Sequence, residues 1–164
     1  MIKVLSVNTP VLPEFDSANK AVEQCRDSVL NYMLCTGFSM YTGNPELMDE
    51  ATVAYPGLRL LTVIPAEDFE DFVYTYFGGN TKLSHKSSKL FTYLDKVEAY
   101  TAISVPVESS INVNVISCER TEKTYRMTFQ NSLGDVTSPV YKTLIIVRED
   151  GSMYFKYLTD IDNK

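Results

Sequence analysis

The segment PAEDFEDFVYTYFGG, residues 65–79, carries a clear helical pattern around which the rest of the fold can be predicted. Its apolar residues recur at intervals of three and four, which is the spacing of one face of an α-helix. Proline followed by acidic residues favours a helix start, and the Gly78-Gly79 pair favours a helix end. The segment therefore predicts a helix with one almost wholly aromatic face, which must pack on a large apolar surface. That face comprises Phe69, Phe72, Val73, Tyr76 and Phe77.

A longer helix is predicted closer to the N-terminus. Asp16 or Ser17 can cap it, and apolar residues recur at helical spacing from Ala18 to Thr36. Gly37 supplies the left-handed residue that commonly ends such a helix. The preceding residues 1–15 contain two prolines and are predicted to form an extended lead-in.

A second, short helix is predicted between these two. Asn44 offers a capping side chain, Pro45 suits the first helical position, and Glu46 lies near the positive end of the helix dipole. The helix must end at Pro56-Gly57. The N-terminal half of the chain is thus predicted to be helical.

Downstream of residue 80 the apolar period changes from 3.6 residues to two, the period of β-strands. Leu90–Leu94 and Val97–Ile103 predict a hairpin about Asp95-Lys96. Helices followed by about five or six antiparallel strands predict an α+β fold, in which three helices pack on one face of a sheet. A single domain spanning 1–164 is expected. The later strands are predicted near residues 111–115, 125–130, 140–148 and 153–160.

Charge and length exclude several classes of protein. The chain has 164 residues and a net charge of −6, which argues against general binding of nucleic acids or anionic membranes. No stretch approaches the ~20 apolar residues of a membrane-spanning helix. The N-terminus is too poor in apolar residues for a signal peptide. The chain is therefore expected to be cytoplasmic, or to be an exported protein whose leader was removed.

The sequence contains no recognisable catalytic or metal-binding motif. Cys25, Cys35 and Cys118 lie in apolar surroundings and are predicted to be buried free thiols. Cys25 and Cys35 are too far apart on one predicted helix for a disulfide, and no cysteine has the spacing of a metal site. His85 lies in a polar stretch and is interpreted as a solvated surface residue, as is Glu70 with its acidic neighbours on the outer side of the aromatic helix. No catalytic residue, metal ligand or cofactor is predicted, and the protein is expected not to be an enzyme.

Among the residue types of this sequence, tyrosine is the one best suited to a binding function. The chain has eleven Tyr and eight Phe, and six of the tyrosines fall on predicted strands. They could pack in the core, line a cavity for an apolar or sugar-like ligand, or form an exposed sheet face that pairs with a partner or a second copy. If a pocket exists, the predicted lining residues are Phe72, Tyr76, Tyr93, Tyr100 and Tyr141.

Three helices followed by a long antiparallel sheet resemble the cone-shaped fold of the nuclear transport factor 2 (NTF2)-like superfamily. Residues 64–68 (IPAED), 76–79 (YFGG) and the turn at 150–152 (DGS) also resemble segments of uncharacterised exported proteins, often lipoproteins, of Gram-positive gut bacteria. The resemblance implies a curved sheet that wraps around the helices and leaves a cavity at its open end. It also implies a bacterial protein at the cell surface or outside the cell.

The resemblance leaves three functions open. The first is a non-enzymatic binding or interaction domain, whose partner is a small molecule or a protein and which could form a homodimer. The second is a scaffold domain of a conjugation or secretion apparatus, which predicts a filled pocket and a large exposed apolar face. The third is a cofactor-free isomerase or dehydratase, which predicts a buried carboxylate near a Tyr hydroxyl in an open cavity.

Overall fold

The structure, a computed structural model, describes residue 5 and residues 9–34, 45–79, 83–102 and 111–162. Each of the three predicted helices is present among these residues. The Ser17 side chain caps the first helix by accepting a hydrogen bond from the Lys20 backbone N–H at 3.4 Å. The helices are α1 (Ala18–Tyr32), α2 (Pro45–Ala54) and α3 (Ala66–Phe77).

Seven strands form two antiparallel sheets in the described part of the chain. The smaller sheet has three strands, with β3 at its centre between β1 and β2. The larger sheet is a four-stranded meander, β4-β5-β6-β7, in chain order. The strands are β1 (Ile64–Pro65), β2 (Phe91–Leu94), β3 (Ala99–Ala102), β4 (Asn112–Arg120), β5 (Thr124–Leu133), β6 (Val136–Val147) and β7 (Met153–Asp160).

The main core lies between the helices and one face of the four-stranded sheet. The aromatic side of α3 is buried and packs on β7 and on α1. Phe15, near the end of the lead-in, packs edge-on against Phe77 and Phe155, with ring centroids 5.6 and 6.4 Å apart. Phe15 also exchanges two backbone hydrogen bonds with Leu158, of 2.8 and 3.0 Å, so the lead-in covers the outer edge of β7 at this point.

A smaller core joins α2 to the β2–β3 hairpin. It contains Ala51 from the helix together with Leu94 and Ala99 from the hairpin. The Tyr55 hydroxyl accepts a hydrogen bond from the Lys96 backbone N–H at 2.8 Å, which fixes the end of α2 to the turn. The three-stranded sheet is thereby covered by a helix of its own.

Arg148 ties the end of β6 to the last turn of α3. Its guanidinium donates hydrogen bonds to the carbonyl oxygens of Tyr74 and Thr75 at 2.6 and 3.1 Å, where a cation suits the negative end of the helix dipole. It also lies 4.8 Å from the Tyr154 ring centroid. The same ring covers Gly78, whose φ of +70° ends the helix in a conformation that favours glycine.

Sequence patterns located the elements well but did not predict the sheets. The starts of α2 and α3, the hairpin about Asp95 and the bounds of β7 are as predicted. The strands form two sheets rather than one, because β3 pairs with β1 and β2, and among the described strands it does not pair with β4. Leu5, within the predicted extended lead-in, has a helical backbone and is buried. Gly37 and Cys35 lie outside the described residues.

One cysteine was placed wrongly from the sequence. Cys118 is exposed, because it lies on β4 at a sheet position that none of the described helices covers. Cys25 is buried in α1 as predicted, and burial raises the pKa of its thiol to about 12.

No helix in the described part of the chain is both long and apolar enough to cross a membrane.

Candidate functional site

Helix α1 holds the segment 83–90 through one buried arginine. Arg26 is only 4% exposed, and its two terminal nitrogens donate hydrogen bonds to the carbonyl oxygens of Ser84 and Lys86 at 2.6 and 2.7 Å. These two carbonyls flank residue 85 on either side. Arg26 therefore fixes the backbone that carries His85.

The next residue of α1 secures the end of the same segment. The Asp27 carboxylate accepts a hydrogen bond from the Leu90 backbone N–H at 3.1 Å and another from the Ser88 hydroxyl. Charge-assisted bonds of this kind are stronger than those between neutral groups. The two charged residues thus clamp the segment just before β2.

His85 lies between an acid and a tyrosine. Its Nε2 is 2.9 Å from Glu70 Oε1, and its Nδ1 is 3.0 Å from the Tyr100 hydroxyl. A carboxylate only accepts hydrogen bonds, so the geometry places a proton on Nε2 and lets Nδ1 accept the Tyr100 proton when the ring is neutral. Tyr93 stacks on the imidazole, with ring centroids 5.2 Å apart and planes inclined by 18°.

Tyr100 is fully buried at the inner end of this chain of hydrogen bonds. Burial raises the pKa of its phenol to about 12, although the Arg26 charge and the Lys86 backbone N–H partly oppose this. The phenol is therefore protonated at neutral pH and donates its one proton to His85 Nδ1, while it accepts from the Lys86 backbone N–H. The arrangement could relay a proton between Tyr100 and Glu70, but its tyrosine end does not reach the surface.

The histidine and its acid were interpreted wrongly from the sequence. The side chains of His85 and Glu70 are only 15% and 26% exposed, because they bind each other against the aromatic side of α3. The charged residues Lys20, Glu23, Arg26 and Asp27 predict a polar side for the first helix, and for Arg26 this prediction is wrong. It follows Val22 by four residues and precedes Leu30 by four, so its position on the apolar stripe was visible in the sequence.

The five residues predicted to line a pocket fall in three separate places. Tyr93 and Tyr100 meet at His85, with ring centroids 5.0 Å apart. Phe72 and Tyr76 form a second aromatic group, 4.4 Å apart. Tyr141 is buried elsewhere, and its hydroxyl accepts a hydrogen bond from the Leu12 backbone N–H at 2.8 Å. A pocket lined by these residues stays a prediction.

One cavity of about 590 Å³ lies where the lead-in and the start of α1 meet β7. The Glu14 carboxylate on its wall accepts hydrogen bonds from the Thr159 hydroxyl at 2.9 Å and the Asp160 backbone N–H at 2.5 Å. Its lining residues include Glu14, Phe15, Asp16, Lys20, Lys156 and Tyr157.

A second cavity of about 540 Å³ lies on the face of the four-stranded sheet opposite the helices. Its residues alternate along the strands with core residues such as Phe129 and Tyr141, because successive side chains point to opposite faces of a sheet. They are Ser117, Glu119, Arg126, Thr128, Lys142 and Leu144, together with Tyr157.

Tyr157 lines both cavities, so the two meet at β7. We refer to the two cavities together as the Tyr157 groove. Tyr157 was recognised in the sequence only as one of six strand tyrosines. The groove depends on the lead-in lying beside β7, which no local pattern could indicate.

Among the described residues, no group of three or more His, Cys, Asp or Glu side chains is placed to hold a metal ion.

Comparison with known proteins identified no relative: no family model, no curated protein and no solved structure matches this chain.

Proposed function

We propose that this chain is a non-enzymatic binding domain of the NTF2-like type, from an exported bacterial protein, and that it binds its ligand in the Tyr157 groove. The observation that carries the proposal is the meeting of two cavities at one tyrosine. Each has a volume in the range of small-molecule sites, about 300–1,000 Å³. The sequence left an apolar or a sugar-like ligand open, and a half-buried aromatic ring flanked by hydroxyl and charged side chains suits the sugar-like one.

The burial of Tyr100 favours binding over catalysis. An isomerase of this superfamily would need its acid, base and tyrosine beside a bound substrate. Here the tyrosine of the Glu70–His85–Tyr100 chain is 0% exposed, and neither described cavity is lined by any of the three residues. The chain of hydrogen bonds instead supports the packing of segment 83–90 on α3.

The proposal can be tested by mapping ligand contacts in solution. Amide chemical shifts of the ¹⁵N-labelled protein would be recorded with a panel of neutral and acidic mono- and oligosaccharides. We expect saturable shifts at residues of the groove, such as Thr128, Leu144 and Thr159, and their loss in Tyr157→Ala. Shifts confined to residues 83–90, or none with any member of the panel at millimolar concentration, would overturn the proposal.

A scaffold domain that docks neighbouring proteins is the second candidate, and the outer strand β4 favours it. β4 pairs only with β5 among the described strands, and from Asn114 to Arg120 every residue is exposed. Val115 and Ile116 are adjacent apolar residues that are 48% and 53% exposed. An exposed edge of this kind can pair with a second copy or with another protein.

The scaffold function predicts self-association through this edge. Multi-angle light scattering should then give a dimer that becomes a monomer in Ile116→Lys, while Lys89→Glu, an exposed change away from β4, leaves the dimer intact. A monomer at all accessible concentrations would exclude the homodimer and leave only a foreign partner for β4.

A further inference from the structure

The charges of the Tyr157 groove select one class of ligand. We infer that the groove binds an acidic saccharide chain, whose sugar rings carry carboxylates, and this inference rests on the function proposed above. The protein as a whole carries a net charge of −6, so a local excess of available cations is unexpected on composition alone. The groove has such an excess.

Three cations in the groove have no partner of their own. In the part of the chain that the structure describes, the side chains of Arg126, Lys142 and Lys156 are exposed and form neither a hydrogen bond nor an ion pair. The fourth cation, Lys20, is paired with Asp16 at 2.7 Å. The three free cations can therefore be neutralised by a ligand.

The acids of the groove are mostly engaged. Asp16 is paired with Lys20, and Glu14 accepts hydrogen bonds from Thr159 and Asp160. Glu119 is the remaining acid, and it lies opposite Arg126 in the β4–β5 register without forming an ion pair with it. Because hydrogen bonds from neutral donors leave the charge of Glu14 in place, the groove offers three cations without an ion pair against two such carboxylates, Glu14 and Glu119.

The sheet register places two of these cations close together. Arg126 pairs with Leu144 across β5 and β6, while Lys142 pairs with Thr128, so Arg126 and Lys142 are diagonal neighbours on one face. Such positions are about 7–8 Å apart, within reach of one carboxylate for two long side chains. An arginine can bind that carboxylate with two parallel hydrogen bonds.

The remaining lining suits a sugar ring. Tyr157 lies opposite Leu144 in the β6–β7 register, and together they offer an aromatic ring and an aliphatic neighbour to the apolar face of a sugar. The hydroxyls of Ser117 and Thr128 and the amide of Gln24 can exchange hydrogen bonds with sugar hydroxyls. Because two cavities share Tyr157 as a lining residue, they offer room for more than one sugar ring.

Titration calorimetry with tri-galacturonate and its neutral methyl ester tests the inference. At low salt we expect the acid to bind at least about tenfold more tightly than the ester, a difference of about 1.4 kcal/mol. Arg126→Gln and Lys142→Gln should each weaken binding of the acid about tenfold and leave the ester unaffected. Glu119→Gln should tighten binding of the acid, because it removes the opposing charge. Lys89→Gln, an exposed lysine outside the groove, is the matched control.

The outcomes separate this inference from the proposed function. If the ester binds as well as the acid and Tyr157→Ala weakens both, the groove is the binding site but the preference for acidic chains is wrong. If neither binds while another ligand shifts the groove amides, the saccharide class is wrong. If the acid binds equally well to Tyr157→Ala, Arg126→Gln and the wild-type protein, both proposals are overturned.

Discussion

Two regions of this molecule contain the same three residue types, which are bound within the protein in one region and available to a ligand in the other. At segment 83–90 and in the Tyr157 groove, an arginine, a glutamate and a tyrosine lie near one another. In the first region the arginine is 4% exposed and its guanidinium is bound to two backbone carbonyls, whereas in the second the arginine is exposed and unpaired within the described structure. The first set is Arg26, Glu70 and Tyr100; the second is Arg126, Glu119 and Tyr157.

The difference shows how burial decides what a charged side chain contributes. A buried polar group that lacks a partner costs free energy, so buried groups of the first region had to be bound within the protein. Exposed charges in the second region are hydrated and cost little to leave unpaired. The first region is therefore expected to contribute stability and the second to remain available for a ligand.

The two arginines give the sharpest test of this comparison. Arg26→Met should lower the free energy of unfolding by about 3 kcal/mol, because two carbonyls lose charged donors. Arg126→Met should change it by less than about 0.5 kcal/mol, as is usual for exposed sites. Urea unfolding followed by circular dichroism measures both. Similar losses in the two variants would contradict the comparison.

Two glycines allow a similar comparison for the backbone, between a crowded position and an open one. Gly78 has φ +70°, and a Cβ there would lie 2.8 Å from the Tyr154 ring, whereas Gly134 has φ +56° and nothing within 4 Å. Gly78→Ala should cost about 2–3 kcal/mol from strain and displacement of the ring, and Gly134→Ala about 1 kcal/mol from strain alone. Thermal unfolding measures the difference. Equal costs would mean that the ring of Tyr154 moves freely, contrary to its place beneath Arg148.

Alkaline pH tests the burial of Tyr100. An unfolded tyrosine loses its proton near pH 10, but the folded protein holds the Tyr100 proton until its pKa of about 12. Between these values the unfolded state binds fewer protons, so stability falls as pH rises, by at most about 1.4 kcal/mol per pH unit. The stabilisation linked to the raised pKa of Tyr100 is fully present below pH 10. Urea unfolding from pH 9 to 11.5 should show a shallower decline in Tyr100→Phe; parallel curves would mean that Tyr100 reaches solvent.

The two described cysteines test the comparison through thiol reactivity, whereas the tests above measure stability. Burial raises the pKa of Cys25 to about 12, while Cys118 is exposed on β4. In a Cys35→Ser background, a chromogenic disulfide reagent at pH 8 should modify Cys118 at once and Cys25 only after unfolding, because reaction needs an accessible thiolate. The Cys118→Ser variant identifies the fast thiol. Rapid modification of both in the folded protein would show that α1 opens readily.

Local patterns in the sequence predicted the elements because their causes are local. Ser17 and Pro65 mark helix starts, Gly78 marks a helix end, and the alternation in Met153–Asp160 gives a strand, each through the conformational preferences of neighbouring residues. All six tyrosines expected on strands lie on strands. The sheet arrangement could not be read in this way, because alternation shows that a segment is a strand without showing its partner.

The candidate site was mostly beyond sequence analysis. His85 is fifteen residues from Glu70 and fifteen from Tyr100, so only the packing of three elements brings their side chains within hydrogen-bonding distance. Its polar neighbours in the sequence suggested an exposed loop, yet Arg26 holds that loop against the core. Arg26 itself could have been found, since its position falls on the apolar stripe of α1.

The sequence alone predicted the three helices, six of the seven described strands, the α+β class and the excess of acidic charge, since these depend on composition and on spacings of a few residues. The two-residue strand β1 was not predicted. Tertiary packing fixed three further features: His85 is enclosed between Glu70 and Tyr100, β4 is an outer strand that is exposed from Asn114 to Arg120, and the lead-in lies beside β7 to form a groove at Tyr157. The physical reason is that burial and pairing belong to contacts between segments far apart in the chain, whose cost or gain appears only when the core is packed.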